Sequence, residues 1–343
     1  MLIVEESRSS SELIVKAFEA ERRLRVAGVV VDGEDAVDAA RLTSPDVIAI
    51  SVRAQHSGGF DLTRRIMESS PAPIVAVCPS ANTSDIATTF RAIEAGALAV
   101  VGRPEPAGHP RHEASVLELT KALLLMSEVK VVRRWPRQAA ALPTAARPQV
   151  AIHPRSVQAV AIGASTGGPP ALQIILAGLP KPFPVAVLIV QHMTPGFVQG
   201  FVDWLGPASG FPTRVATDGE PLLPGHAYVA PDGVHMGVRP GNRVLLCATR
   251  EENGMRPAVA FLFRSVAAVF GAEAIGVLLS GMGRDGAEEL GSLKSAGGVT
   301  IAQDAKSSVV HGMPGEAIQL GAAKYVLTPE AIAQTLTRMV VRS

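Results

Sequence analysis

Three residues of types that catalyse acyl transfer follow apolar runs in the second half of the 343-residue chain: Ser165, His192 and Asp285. Ser165 lies in the stretch GASTGG, between a run that ends at Ile162 and a Pro-Pro pair where a helix is expected to begin. A serine on such a turn projects its hydroxyl beyond the sheet, and the glycines let a substrate approach the backbone. The same pattern also occurs in glycine-rich turns without a catalytic role and in phosphate cradles at helix N-termini. This stretch alone therefore does not decide between a catalytic serine, a structural turn and a phosphate cradle.

The positions of His192 and Asp285 favour the catalytic interpretation. His192 follows the run that ends at Val190, and Asp285 lies in the loop after the run that ends at Leu279. Because carboxyl ends of parallel strands meet at one sheet edge, we expect Ser165, His192 and Asp285 to converge. The histidine would act as general base and the aspartate would orient it.

Each member of this set also has a structural alternative. His192 could be a histidine that only makes structural hydrogen bonds, and Asp285 could cap the helix expected after Gly286. Three other histidines are rival bases at less favourable positions: His226, His235 and His311. The chain order Ser, His, Asp excludes the α/β-hydrolase pattern, in which the acid precedes the histidine.

Both halves of the chain alternate short β-branched runs with helix-length segments, which indicates parallel, doubly wound sheets. In the first half, strands are predicted at 2–4, 26–31, 47–50, 74–77 and 99–101, with helices from a Ser9-x-x-Glu12 capping box and at 34–41, 62–69 and 85–95. In the second half, strands are predicted at 157–162, 185–190, 275–279, 299–302 and 325–327, and helices at 256–270 and 286–296. An antiparallel segment or an edge hairpin is predicted within 227–247.

The predicted fold class is therefore α/β, with two doubly wound parallel-sheet domains. Residues 1–104 form a flavodoxin-type domain, 105–155 contain its last helix (117–126) and a Pro/Ala/Arg-rich linker, and 156–343 form a Rossmann-like domain. The linker carries Trp135 within a basic cluster. This cluster is either a solvated linker with one anchoring aromatic or a dock for an acidic partner; its cations are Lys130, Arg133, Arg134 and Arg137.

Composition excludes several classes of protein. With 32 Lys and Arg against 31 Asp and Glu, no overall charge favours nucleic acid or an anionic membrane. The apolar runs are strand-sized, and the N-terminal residues lack a leader pattern, so we expect a cytoplasmic protein without membrane insertion. Cys78 and Cys247 are far apart in sequence and predict neither a disulfide framework nor a zinc site, which is typical of a reducing compartment.

The first half resembles a response-regulator receiver domain but departs from it at the residues that do its chemistry. Glu5 and Glu6 stand at the acidic pair, Ser51 at the phosphoacceptor aspartate, Cys78 at the hydroxyl residue and Arg103 at the lysine. Serine cannot form an acyl phosphate, and the metal ion of a receiver phosphoryl site is normally held by three carboxylates. We therefore expect a pseudo-receiver without phospho-switching, in which the two glutamates are a solvated acidic rim or bind a cation weakly.

The second half resembles the catalytic domain of the CheB family, the chemotaxis protein-glutamate methylesterases. The motifs that carry the resemblance occur in order: IGASTGG (162–168), VQHM (190–193), LLPG (222–225), VAP (229–231), RP (256–257), SGMGRDGA (280–287), TIAQD (300–304) and SSVVHGMP (307–314). The upstream domain and linker match the same family, so the resemblance covers nearly the whole chain. It departs at His311, where the family usually has an aromatic residue.

The resemblance implies a cytoplasmic serine esterase that hydrolyses glutamyl methyl esters on chemoreceptor helices, with Ser165, His192 and Asp285 as nucleophile, base and orienting acid. Candidate oxyanion donors are the amides of Thr166 and Met282. Deamidation of receptor glutamines uses the same chemistry. No cofactor and no metal are expected; the partners are methylated receptors and a chemotaxis histidine kinase. The alternative is a non-catalytic regulatory or scaffolding protein of a receptor array, and a nucleotide-binding cradle is a third interpretation.

Overall fold

The computed structural model describes residues 1–18, 23–31, 35–52, 58–78, 90–129 and 157–340. The chain divides into two compact units, Met1–Arg147 and Pro148–Ser343. Both are α/β, as the sequence predicted. Among the described helices, none combines the length and the apolar content that a bilayer crossing requires.

The first unit contains one parallel five-stranded sheet. Its elements are β1 (Leu2–Glu5), α1 (Arg8–Phe18), β2 (Gly28–Val31), α2 (Ala36–Thr43), β3 (Ile48–Ser51), α3 (Gly58–Ser69), β4 (Ile74–Cys78), β5 (Ala99–Gly102) and α4 (His112–Ser127). The strand order β2-β1-β3-β4-β5 is the flavodoxin-like order. Strands β1, β3 and β4 are buried along their whole length, which explains their continuous apolar runs.

Three details of the first unit differ from the sequence predictions. Helix α1 begins before the proposed capping box, because the Ser7 hydroxyl accepts the Ser10 amide at 3.3 Å and caps the helix. Strand β2 begins two residues later than predicted, at Gly28, and α4 begins five residues earlier, at His112. Of the helix predicted at 85–95, residues 90–94 are described and are helical, whereas the basic linker cluster lies outside the described residues.

The second unit contains a parallel seven-stranded sheet and a separate hairpin. Its strands are β6 (Ala159–Ala164), β7 (Ala186–Gln191), β8 (Thr213–Val215), β9 (Ala227–Val229), β10 (His235–Arg239), β11 (Arg243–Cys247), β12 (Ala274–Leu278), β13 (Val299–Gln303) and β14 (Tyr325–Leu327). The large sheet has the order β14-β13-β12-β6-β7-β9-β8, and β10 pairs with β11 antiparallel. The predicted hairpin is thus confirmed, but β9, which starts the same region, is parallel to β7 and β8.

Helices of the second unit pack in two groups. They are α5 (Gly168–Ala177), α6 (Val198–Ser209), α7 (Val259–Phe270), α8 (Ala287–Ser295), α9 (Met313–Gln319) and α10 (Pro329–Val340). Helix α5 contacts α6 and α10, while α8 contacts α7 and α9. Strand order reverses at β6, which lies between β7 and β12. In open α/β sheets, the carboxyl edge at such a reversal is where ligands bind.

Candidate active site

Ser165 occupies a tight turn between β6 and α5. Its amide donates to Ser280 O at 3.0 Å, and its carbonyl accepts the Gly168 amide at 2.8 Å. Gly167 has φ 78°, and a side chain there would press on Val309 and the Ser280 hydroxyl. The turn therefore requires glycine at this position, and it holds the serine beyond the end of the strand.

His192 is the first residue after β7 and lies beside the serine turn. Its amide donates to Ala164 O at 2.9 Å, which continues the pairing of β6 with β7. Its side chain is 8% exposed, and Nε2 lies 3.0 Å from Asp285 Oδ2. The N–H at Nε2 is not aligned with that oxygen, and Nδ1 has no hydrogen-bond partner among the described residues. Nδ1 is the ring nitrogen that does not face Asp285.

Asp285 is held by backbone amides as well as by the histidine. Oδ2 accepts the Val259 amide at 2.7 Å, and Oδ1 accepts the Ala260 amide at 3.2 Å and Asn253 Nδ2 at 3.1 Å. The carboxylate thus caps the first turn of α7. The alternative that it caps the following helix is wrong, since α8 has Gly286 as its N-cap and no side-chain cap.

The pKa of the Asp285 carboxyl is lowered from its usual 3.8. Burial is the largest single influence and would raise the pKa, but the close contact with His192 and its charge, the Val259 amide and Asn253 together outweigh burial. The ionised carboxylate is therefore the favoured form. An ionised acid beside a buried imidazole can fix its orientation and stabilise its protonated form.

The loop after β12 lies directly against Ser165. A Cβ added at Gly281 would be 2.8 Å from Ser165 Cβ and would overlap Met313 Sδ. The amides of Thr166 and Met282, the two candidate oxyanion donors, make no backbone hydrogen bond among the described residues. Two unpaired amides on loops that adjoin the serine fit the donors that an oxyanion requires.

The rival histidines have other partners. His235 is fully buried, stacks on Phe261, and bonds to Arg250 O and the Ala258 amide, which accounts for both ring nitrogens. His226 Nδ1 lies 3.0 Å from Pro224 O. His311 pairs as an isolated bridge with Gly281, and its Nδ1 lies 3.3 Å from Ser308 Oγ. Burial lowers the pKa of His311, partly opposed by Asp304, so its neutral form is favoured beside the site.

Sequence reasoning missed two buried amides and one buried hydroxyl around Ser165. Gln191 Nε2 donates to the carbonyls of Ser165 and His192, and Ser280 Oγ donates to Thr166 O at 2.7 Å. Gln303 Oε1 accepts the Ser280 amide at 2.8 Å. The signal that could have found them is a polar residue closing an apolar strand, where burial demands a hydrogen-bond partner.

In the first unit, the residues at the receiver's phosphoryl site form a closed polar cluster. Arg103 Nη2 lies 2.9 Å from Glu5 Oε2 and 2.6 Å from Ser51 Oγ. Glu5 is 2% exposed, so the expectation of a solvated acidic rim is wrong for this residue. Burial raises the pKa of the Glu5 carboxyl, although Arg103 and Ser51 partly oppose the shift. Cys78 is a buried, reduced thiol at the end of β4.

These residues do not fit the magnesium site of a receiver. The Arg103 guanidinium binds Glu5 Oε2 and places a positive charge where the cation would lie, and Ser51 supplies no carboxylate. Among the described residues, no group of three or more metal-ligating side chains is arranged to hold an ion.

Comparison with known proteins gives matches over both units. A family model described as CheB methylesterase matches residues 160–336, and one described as response regulator receiver domain matches 1–109. A protein-glutamate methylesterase/protein-glutamine glutaminase from Geobacter metallireducens is 49% identical, covering 99% of this chain and 98% of the relative. One from Nitrosospira multiformis is 48% identical over 99% and 96%. The solved catalytic domain of Thermotoga maritima CheB methylesterase is 39% identical, with a TM-score of 0.52, and covers 54% of this chain and 100% of that structure.

Proposed function

The chain belongs to the CheB methylesterase family, and on that premise we propose that it is a cytoplasmic serine esterase that hydrolyses glutamate methyl esters on chemoreceptor helices to glutamate and methanol. The observation that carries the proposal is the buried His192–Asp285 contact of 3.0 Å beside the Ser165 turn. A phosphate cradle would give neither His192 nor Asp285 a role. The names of the two bacterial relatives support the same substrate class.

The reaction follows from the roles of these side chains. Ser165 Oγ attacks the ester carbonyl while His192 Nδ1 takes its proton, and the amides of Thr166 and Met282 receive the oxyanion. The C–O bond to the methoxy group breaks, and methanol leaves with the proton from His192. Water then attacks the acyl-enzyme, His192 takes a proton from it, and Ser165 is released with its hydroxyl restored.

The same site would deamidate receptor glutamines. The leaving group is then ammonia, which takes its proton from His192, and the acyl-enzyme and its hydrolysis are unchanged. The glutaminase activity in the names of both relatives supports this second substrate.

Replacing Ser165 tests the proposal. Ser165→Ala should lower methanol release from methylated receptor by at least about a thousandfold, because no nucleophile remains. A matched control is Ser292→Ala on α8, whose hydroxyl bonds only within its own helix. Circular dichroism establishes that both variants fold. Methanol release by Ser165→Ala at the rate of the Ser292→Ala control would contradict the proposal.

The first unit supports one alternative function. Its phosphoryl site has lost the acceptor carboxylate, and a chain that keeps a fold while losing its chemistry can act as a scaffold in a receptor array. Such a protein would bind receptor or histidine kinase without turnover. Ester hydrolysis by the full chain that depends on Ser165 would exclude this alternative.

We further propose that the esterase does not depend on phosphorylation of the first unit. Arg103 neutralises Glu5, and Ser51 cannot form an acyl phosphate, so neither the metal nor the phosphoryl group has its usual ligands. Under this proposal, a histidine kinase of the chemotaxis array is a docking partner and not a phosphodonor that activates the esterase. Incubation with a radiolabelled small-molecule phosphodonor should leave the chain unlabelled; stoichiometric label would contradict the proposal.

A further inference from the structure

Gln191 is a buried polar residue at the end of an otherwise apolar strand. It is 4% exposed and closes β7 after Ala186–Val190. Its Nε2 makes two hydrogen bonds, at 2.9 Å to Ser165 O and at 2.8 Å to His192 O. The side chain therefore joins the backbone of the serine turn to the backbone of the histidine.

The bond to Ser165 O fixes the peptide that joins Ser165 to Thr166. In a trans peptide the C=O and N–H point in opposite directions. Ser165 O is held on the β7 side by Gln191, with the Gly168 amide as its second donor. The Thr166 N–H is consequently directed away from β7. On the opposite side of β6 lies β12, whose following loop carries the other candidate oxyanion donor, Met282.

Stability alone does not explain a glutamine at this position. Its Oε1 is buried and has no hydrogen-bond partner among the described residues, which is unfavourable for folding. Methionine would fill a similar volume without this cost, but it would not make the two hydrogen bonds to Ser165 O and His192 O. The site is also shaped around the amide, because a Cβ at Gly168 would overlap Gln191 Oε1 and come within 2.8 Å of Ala164 Cβ.

We propose that Gln191 is a positioning residue for the oxyanion hole: by holding Ser165 O, it aims the Thr166 amide at the oxygen of the tetrahedral intermediate. The inference rests on the proposed esterase function. It assigns Gln191 no contact with substrate and no proton transfer. Its effect is confined to the stage of the reaction at which the carbonyl oxygen carries negative charge.

The test removes the Gln191 amide donor and measures the effect on catalysis and on the ionisation of a bound oxyanion. In the full chain, Gln191→Met should lower kcat for methyl ester hydrolysis by about tenfold to a hundredfold, somewhat less than outright loss of an oxyanion donor. KM should stay within about threefold, because the ground-state ester carries no developed charge. Thr300→Val is the matched control: Thr300 is fully buried and makes two hydrogen bonds, at Ala322 and Lys324, away from the serine turn.

The spectroscopic readout uses a peptide in which a trifluoromethyl ketone replaces the glutamyl methyl ester. Ser165 adds to this ketone and forms a hemiketal oxyanion, which fluorine NMR detects. In Gln191→Met the hemiketal should ionise at higher pH and the ketone should bind more weakly by the same factor as kcat falls. A role in packing alone would leave this ionisation unchanged. Gly168→Ala, whose added methyl would overlap Gln191 Oε1 and displace the same amide, should shift the ionisation in the same direction.

The outcomes separate this inference from the proposed function. If the wild-type chain is active and Gln191→Met shows normal kcat or an unshifted hemiketal, the inference is overturned and the esterase function stands. If Gln191→Met does not fold, kcat and the hemiketal ionisation are measured in Gly168→Ala instead, and normal values of either overturn the inference. A wild-type chain that releases no methanol and forms no hemiketal overturns both.

Discussion

The carboxylate of Asp285 serves folding and chemistry at the same time. It caps α7 through the amides of Val259 and Ala260, and its Oδ2 also faces His192. Neutral asparagine keeps the shape of the side chain, but one of its terminal atoms is a donor and would face a donor. A substitution here should therefore reduce both the activity and the free energy of unfolding.

Asp285→Asn should lower kcat about ten-thousandfold by disturbing the histidine, and it should destabilise the second unit by about 1 to 3 kcal/mol at neutral pH. The lowered pKa of Asp285 means that the ionised form contributes stability above the usual value of 3.8, and that this contribution is lost as pH falls through the folded-state pKa. The stability difference from wild type should therefore shrink in acid.

Urea denaturation at a series of pH values measures this difference. Asp203→Asn is the control, because Asp203 is exposed on α6 and bonds only to Gln199 of the same helix. A stability difference for Asp285→Asn that stays constant down to acid pH would show that the carboxylate charge is not the cause.

At this scale, sequence reasoning located the three side chains because each follows a strand, and strand ends in a parallel sheet share an edge. It could not locate Asn253, which reaches Asp285 from a loop with φ 53° at Asn253 itself. It also missed Gln191 and Ser280, whose partners in this site are mainly backbone carbonyls. Every residue has a backbone carbonyl, so the sequence does not indicate which carbonyl a buried polar side chain will contact.

Strand β6, helix α7 and the Asp285 loop are in contact through one valine. A Cβ at Gly163 would overlap Val259 Cγ1, and a Cβ at Gly286 would overlap the same atom. The two glycines therefore set how closely α7 approaches the sheet. Because the first amides of α7 hold Asp285, this approach also sets the position of the acid.

Gly163→Ala should push α7 outwards, destabilise the second unit by about 1 to 3 kcal/mol and lower kcat. Val259→Ala removes both clashing methyls, so the double variant should recover part of the activity that Gly163→Ala loses. The measurement is a double-mutant cycle on kcat and on the midpoint of urea unfolding. Purely additive effects would mean that the two side chains do not interact.

Element positions were predictable where apolar runs are long, and the three-residue strand β14 was also predicted, but the short strands β8 and β9 were not predicted as parallel strands. Strands β8 and β9 have three residues each, and β8 is only partly buried. Neither gives a periodic pattern long enough to separate a parallel strand from a hairpin. The placement of β9 is set by its pairing with β7, a contact that is distant in sequence.

For the molecule as a whole, the two units should differ in their response to phosphodonors. The Glu5–Arg103 pair is internal to the first unit, and the proposed triad is internal to the second. We expect magnesium with a small-molecule phosphodonor to leave the ester hydrolysis rate of the full chain, and its ratio to the rate of residues 148–343, unchanged. A phosphodonor-dependent change in that ratio would contradict a phosphorylation-independent enzyme.

The cap on α7 couples local unfolding of the first turn of this helix to loss of the candidate active site. When the first turn of α7 opens, the amides of Val259 and Ala260 leave Asp285, and the acid can no longer orient His192. Amide hydrogen exchange at these two positions therefore measures the fraction of molecules whose site is disassembled. As this open fraction rises, the specific activity should fall by the same fraction, before the unit unfolds globally.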